Sequence, residues 1–317
     1  MDFPSVSIII PIKENNENLK ECIKNCLNLD YPFFEILIMS DNYFDSYSDS
    51  RIRIIPTGNV SPPIKRDLAS AEAKGEILAF LDDDTYPSIN WLKQAVINFR
   101  DPSLACVCGP AVTPAGEPFL QLVSARIYES VIVSGPVRFR YVPGKRRYID
   151  DFPSCNFLIK NKDFITLGGF GIKFWPGEDT ILCLAVISML KKKILYDPNV
   201  IVFHHRRPVF KKHLNQVANY ALHRGYFVRR FGKNSFKIAY FVPSAIVILL
   251  SISLILGAYL NYIFFYFLFA YLFIVLLFSF NKDLRLFIYL FLGIVMTHFV
   301  YGINFIKGFF SSRLKEE

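Results

Sequence analysis

"EILAFLDDDTYP", residues 76–87, sets a short apolar run directly before three consecutive carboxylates, Asp82, Asp83 and Asp84. Adjacent carboxylates repel one another unless each is solvated, paired or bound to a cation. Two readings follow from the stretch alone. One is a solvated acidic turn, closed by Pro87 and capping a helix that begins near Ser88. The other is a strand end built to hold a divalent ion and the phosphates that ion neutralises.

The surroundings decide what kind of strand this is. "KRDLASAEAKG" (65–75) reads as a helix leading into it. "SVSIIIPI" (5–12) is β-branched and continuous, as a strand covered on both faces of a parallel sheet requires. "NENLKECIKNCLNL" then places Leu19, Ile23, Cys26 and Leu27 at helical spacing, and Asp30, Tyr31 and Pro32 end that helix. "FEILIM" (34–39) and "RIRIIP" (51–56) supply two more strands. Strands and helices alternating in this way predict a doubly wound α/β sheet, whose ligands sit at the carboxyl ends of its strands. Asp41 and Asp82 to Asp84 therefore belong to one crevice.

The following part is less regular. A helix is expected over 118–133, a basic turn-rich loop over 138–153, a strand over 156–161, a helix over 179–193 and a strand over 199–205. Beyond it, "FKKHLNQVANYALHRGYFVRRF" aligns Leu214, Val217, Ala218, Ala221 and Leu222 on one stripe with basic residues elsewhere, the pattern of an interfacial helix. From Phe236 the chain becomes strongly apolar. Segments 238–259, 261–280 and 286–306 each approach or exceed the about 20 residues that cross a hydrocarbon core. The expected organisation is thus a polar domain over 1–207, an amphipathic helix and basic linker over 208–235, and a membrane domain over 236–317.

Residues 1–20 lack the basic start and apolar core of a signal peptide, and "HRGYFVRRFGKNSFK" puts cations just before the first apolar run. Both features predict an integral membrane protein whose polar domain is cytosolic. The third span sends Lys307, Arg313 and Lys315 outward, against the positive-inside rule, so that segment is either re-entrant or interfacial, or a short basic tail is translocated. The net charge of +9 suits an anionic membrane surface and phosphorylated ligands. Interleaved acidic residues and the lack of a legible nucleic-acid module argue against nucleic acid. The six cysteines show no zinc-type spacing and read as buried thiols in a reducing compartment.

Five blocks, "VSIIIPIKEN", "FEILIMSDNYFD", "KRDLASAEAKGEILAFLDDDTYP", "PSCNFLIKNKDFITLGGF" and "WPGEDTILCL", come in an order and spacing that resembles the family 2 glycosyltransferases, inverting enzymes of GT-A fold. The resemblance covers about residues 5–207. "VFHHRRP" followed by "HLNQVANYALHRGYF" looks like the membrane-anchored members.

The resemblance implies a role for each matching position. Pro11 and Glu14 border the nucleotide, and Asp41 reads the base. The family's usual pair of acids after the second strand is "SD" here, with Ser40 in first place, which leaves uridine favoured but less securely read. Lys65 and Arg66 match the cationic start of a helix that pairs with the nucleotide; a solvated first turn is the alternative. Asp84 is expected on Mg²⁺ or Mn²⁺, with Asp82 shared between metal, ribose and donor sugar. Asp83, counted with the donor-binding group, is expected to point away and be the most replaceable. Glu178 and Asp179 match the family's "ED" pair, with Asp179 as the base that takes the acceptor hydroxyl's proton; a simple helix cap is the alternative. His204, or else His205, completes the metal site, and Arg206 and Arg207 bind diphosphate.

The expected function is a metal-dependent, inverting hexosyl-type transfer from a nucleotide-diphosphate sugar, UDP favoured, to a hydroxyl of a lipid or lipid-linked glycan in cell-envelope glycan or glycolipid synthesis. The alternative is a polyprenyl-phosphate monosaccharide transferase, with a lipid phosphate held by the loop Arg138 to Arg147. A processive polysaccharide synthase is disfavoured because "QVANYALHRGYF" lacks the tryptophan of the "QxxRW" block. An inactive membrane scaffold would not need both acidic pairs. Donor sugar, acceptor and oligomeric state are left open.

Overall fold

The computed structural model describes residues 3–171 and 174–314. The strands are β1 (Val6–Pro11), β2 (Phe34–Ser40), β3 (Ile52–Pro56), β4 (Ile77–Phe80), β5 (Thr85–Pro87), β6 (Leu104–Cys108), β7 (Ala111–Val112), β8 (Arg147–Ile149), β9 (Phe157–Lys160), β10 (Lys193–Tyr196) and β11 (Val202–His204). The α-helices are α1 (Glu17–Leu27), α2 (Pro62–Glu72), α3 (Trp91–Val96), α4 (Phe119–Glu129), α5 (Val131–Ser134), α6 (Asn161–Thr166), α7 (Glu178–Ser188), α8 (Lys211–Arg230), α9 (Val242–Tyr259), α10 (Tyr266–Ser279) and α11 (Leu284–Phe310).

Two compact units emerge. Of the described residues, the first takes those up to Pro114 together with those within Phe139–His205; the second takes Ala115–Arg138 and those from Arg206 to Leu314. The segment holding α4 and α5 thus groups with the C-terminal helices.

In the first unit an eight-stranded mixed sheet runs β3-β2-β1-β4-β9-β6-β10-β8. β3, β2, β1 and β4 are parallel neighbours, whereas β9 lies antiparallel to both β4 and β6. Strand alternation sorts the core into two layers. Ile8, Ile10, Ile36, Ile38 and Ala79 face Leu19, Ile23 and Cys26 of α1 and Trp91 of α3. Ile9, Leu37, Met39, Leu78 and Phe80 face Ala69 of α2, Phe164 of α6 and Leu182 and Val186 of α7. Burial on both faces explains why β1 reads as an unbroken apolar run. β1 lies between β2, reached through α1, and β4, reached through α2, so the order reverses at β1 and opens a crevice at the strand ends. A small second sheet, β5-β11-β7, adds to this unit. All six cysteines are buried, with no disulfide among the described residues.

Local chemistry corrects several expected boundaries. The helix expected over 118–133 breaks at Ser130, whose backbone is extended (φ −71°, ψ 134°). The helix expected over 179–193 ends at Ser188; Lys191 then adopts φ 56°, and the chain enters β10. The basic loop contains edge strand β8, paired antiparallel to β10.

In the second unit, Val242–Tyr259, Tyr262–Ser279 and Leu284–Phe310 are helical segments long and apolar enough to cross a membrane. At 27 residues, α11 is about 40 Å long. α8 packs along it through a buried face of His213, Val217, Ala221 and Gly225. A Cβ at Gly225 would lie 2.1 Å from the Phe305 carbonyl oxygen, and one at Gly308 1.9 Å from that of Leu222. The two glycines let the helix backbones touch, the device by which small residues lock apolar helices together.

Candidate active site

The site assembles at the carboxyl ends of β1, β2 and β4. Pro11 ends β1, buried and opposite Met39, while Glu14 is exposed in the loop that follows. Ser40 ends β2 at 1% exposure. A carboxylate in that place would need a buried partner, a demand the uncharged serine avoids. Asp41, one residue on, is joined to Lys65. The Lys65 ammonium donates to both the Asp41 carboxylate and the Ile12 carbonyl, tying the ends of β1 and β2 together.

Arg66 has partners within the chain. It is 2% exposed, and its guanidinium donates to Asp82 Oδ1 (2.7 Å) and Glu178 Oε1 (3.1 Å). It is directed inward as a bridge between the two acidic motifs, and its charge lies over the Phe170 ring. Separate N–H donors that reach two carboxylates at once and a charge that survives burial make arginine suited to this position.

The acidic triplet divides three ways. Asp82 takes the Arg66 bridge. Asp83 accepts from Asn16 Nδ2 at 2.6 Å, and Asn16 in turn caps α1 by accepting from the Leu19 amide. Burial and the flanking Asp84 and Asp82 charges push the Asp83 carboxyl upward, against the Asn16 bond. The residue expected to be the most replaceable therefore has a structural bond of its own. Asp84 lies 3.2 Å from His204 Nε2, through Oδ1. The His205 imidazole turns elsewhere, to Glu21 Oε2 at 2.8 Å, while its backbone amide donates to the Asp84 carbonyl at 3.0 Å, so of the two imidazoles it is that of His204 that meets a carboxylate of the triplet.

Asp84 and His204 fit a divalent ion. Carboxylate oxygen and imidazole nitrogen are suitable donors, and about 3 Å is the separation of neighbouring ligands around a six-coordinate ion. Among the described residues, no group of three His, Cys, Asp or Glu side chains forms a ready cage.

Glu178 and Asp179 open α7 after Gly177, whose φ of 120° suits only glycine. They differ in access. Glu178 is 4% exposed, bonded to Arg66 and to the Gly177 amide. Its burial, and then the Asp179 charge, push its carboxyl up to about 8, with Arg66 pulling the other way. Asp179 is half-buried and accepts from the Ser154 amide (3.3 Å) and the Thr180 amide (2.8 Å). Thr180 also donates to Asp151, which receives Arg140 at 3.0 Å. The sequence shows this Arg140–Asp151–Thr180 chain only as a paired "DD" in a basic loop. Arg206 and Arg207 fall in the second unit, the former buried and the latter exposed.

This fold has known counterparts. A mannosyltransferase from Pyrobaculum calidifontis, solved with GDP-Man and Mn²⁺, superposes with a TM-score of 0.65 at 16% identity, covering 98% of this chain and 88% of that one. GalNAc-T7, solved with UDP, GalNAc and Mn²⁺, gives 0.50 at 15% identity over 74% and 52% of the two chains. These likenesses establish the GT-A fold. In sequence, a dolichyl N-acetyl-alpha-D-glucosaminyl phosphate 3-beta-D-2,3-diacetamido-2,3-dideoxy-beta-D-glucuronosyltransferase of Methanococcus voltae is 24% identical over 281 residues, 82% of this chain and 84% of that protein. The pre-mycofactocin glycosyltransferase of Mycobacterium tuberculosis is 22% identical over 219 residues; the match spans 68% of this chain and 46% of that protein, under half its length. The family model described as Glycosyl transferase family 2 matches residues 7–168, just over half of the chain and including Asp41, Arg66 and the acidic triplet. The chain belongs to glycosyl transferase family 2.

Proposed function

We propose that this protein is an inverting glycosyltransferase that moves a sugar from a nucleoside-diphosphate donor to a hydroxyl of a lipid or lipid-linked glycan at the cytosolic membrane face. The observation that carries the reading is the Arg66 bridge: one buried guanidinium holds Asp82 and Glu178, so the strand-end and helix-start acid pairs share one site. A turn and a helix cap with unrelated duties would not need that bond.

Within this reading Asp179 takes the proton of the acceptor hydroxyl as its oxygen attacks the anomeric carbon. The bond from that carbon to the diphosphate breaks on the opposite face, and the electron pair leaves with the phosphate. Asp179 is preferred over Glu178 because it is accessible, whereas Glu178 is buried against Arg66. Asp84 and His204 would hold a divalent cation, which when bound supplies charge neutralisation for the leaving diphosphate. Asp41, steadied by Lys65, faces the base. The solved counterparts carry GDP in one case and UDP in the other, so both bases belong in the test.

The name of the Methanococcus voltae relative includes a dolichyl phosphate-linked sugar, which supports a lipid-linked acceptor. A phosphate acceptor is less well supported. Arg140 donates to Asp151 and Arg146 to Asn98, so two of the arginines expected to hold a lipid phosphate have protein partners. The three apolar helices support a membrane-bound catalyst, and the cations of "HRGYFVRRFGKNSFK" just before the first of them support a catalytic unit on the positive, cytosolic side.

The experiment is turnover of a panel of UDP- and GDP-sugars by the full chain in detergent. Asp179→Asn should lower transfer at least about 100-fold while donor binding, read by thermal shift, persists. Full activity in that variant would remove the base role. No thermal shift with any donor would overturn the whole reading.

A further inference from the structure

Three successive residues of α2 reach three different places. Lys65 holds Asp41 and Arg66 holds Asp82 and Glu178, while Asp67 turns to the loop that precedes the second acid pair. Its Oδ1 accepts from the Phe170 amide at 2.7 Å and its Oδ2 from the Gly171 amide at 3.1 Å, across more than 100 residues of chain. Gly168 and Gly169 stand at φ 77° and 74°, turning the amides that follow them toward one acceptor. Successive amides so arranged form an anion-binding concavity. Here the anion is the chain's own carboxylate. A Cβ at Gly169 would lie 2.4 Å from Asp67 Oδ1, so only glycine leaves the carboxylate room. Phe170 fixes the same point from below, packed at 5.5 Å against both Phe80 and Phe164.

An asparagine would not reproduce this bond. It has one acceptor oxygen, and its NH₂ would face an amide N–H, donor against donor. The chain leaving this anchor runs on to Gly177 and then to Glu178 and Asp179. We propose that Asp67 is a positioning residue that sets the loop delivering this acid pair, so that it governs attack by the acceptor and leaves donor binding untouched. The inference rests on Asp179 acting as the base.

The loop carries its own reporter. The chain has two tryptophans; Trp175 lies between the anchor and Glu178 at 46% exposure, and Trp91 is fully buried with its indole bonded to Asn156. Acrylamide quenching therefore reads Trp175. In the full chain, Asp67→Asn and Gly169→Ala should each increase quenching at an unchanged far-UV spectrum. Each should also lower the ratio of transfer to acceptor-independent donor hydrolysis about tenfold, as a small misplacement of a reacting group does, with the donor KM retained. Wild-type quenching in Asp67→Asn overturns the proposal. So does a loss of transfer and hydrolysis in equal proportion to lost folded protein, which marks a merely structural bond. Failure of the wild-type chain to turn over any donor would instead refute the proposed activity, and the quenching comparison would still judge the loop anchor.

Discussion

Replacing Arg66 by methionine tests the bridge directly. The side chain keeps its bulk and flexibility but withdraws both donated bonds, to Asp82 at 2.7 Å and Glu178 at 3.1 Å. Removing one partner of a fully buried pair costs about 3–5 kcal/mol, because the other charge is left in low dielectric. Two features reduce that figure. Asp82 is 36% exposed at its side chain, so water screens part of its charge. Glu178, already pushed up to about 8, escapes by keeping its proton. A loss of about 2–3 kcal/mol is expected, or a melting temperature lower by roughly 4–10 °C for a unit of this size. The sign with pH is also fixed. An acid raised above its ordinary value contributes stability at low pH that is lost as pH rises through about 8. Without Arg66 the carboxyl rises further, so stability should fall more steeply on the alkaline side of neutrality than in the wild type. Turnover should drop about 100-fold, since both acid pairs lose their common reference. Arg66→Lys, with a single ammonium that meets one carboxylate well, should fall between. Melting curves from pH 6 to 9 and donor turnover decide the matter, and wild-type stability and turnover in Arg66→Met would refute the bridge.

Removing divalent cations with excess chelator should abolish donor turnover, and Mn²⁺ or Mg²⁺ should restore it; equal turnover in chelator would reject the assignment of Asp84 and His204. His213 is fully buried, bonded to Ser124 Oγ (2.7 Å) and Thr297 Oγ1 (3.0 Å), and burial pulls its imidazole down to about 4. The second unit should therefore hold its full stability above about pH 6.5 and lose up to about 3 kcal/mol as pH falls toward 4. His213→Gln should flatten that dependence, which thermal melts between pH 4.5 and 7.5 would show.

Much of the first unit was legible because its chemistry is local. A strand buried on both faces must be apolar throughout, and "SVSIIIPI" and "FEILIM" are. Carboxylates at such strand ends fall in the crevice by topology, which is how Asp41 and Asp84 were found. Partnership was not legible. Lys65 and Arg66 are expected on the nucleotide, with a solvated first turn as the alternative, and the destinations of Lys65, Arg66 and Asp67, up to 112 residues away, are set by tertiary packing alone. β8 is not legible for the opposite reason: Arg147, Tyr148 and Ile149 bury no full face at the sheet edge, so no alternation marks them. The "KKKILY" stretch prolonged the expected helix because three lysines are good helix formers, and only the left-handed Lys191 shows where it stops. The apolar spans were read from length and hydropathy. The contact between α8 and α11 depends on Gly225 and Gly308, which an amphipathic stripe does not display.

The destinations of Lys65 and Arg66 alter the charge balance of the site. Lys65 is matched by Asp41 and Arg66 by Asp82. Their positive charge is committed to holding acids in place. Asp84 and Asp179 then add negative charge to a crevice proposed to receive a diphosphate, and Glu178 is relieved of its charge only while it keeps a proton. Like charges at close range disfavour binding by several kcal/mol in a partly desolvated cleft. Asp84 beside His204 offers a place to reverse that sign, with a carboxylate and a neutral imidazole as donors and phosphate oxygens or water to complete the coordination. On this balance a divalent cation is a condition of donor binding as well as of bond cleavage. Chelation should accordingly raise the donor's dissociation constant, and a donor affinity unchanged by chelator would show that some other positive group faces the phosphates.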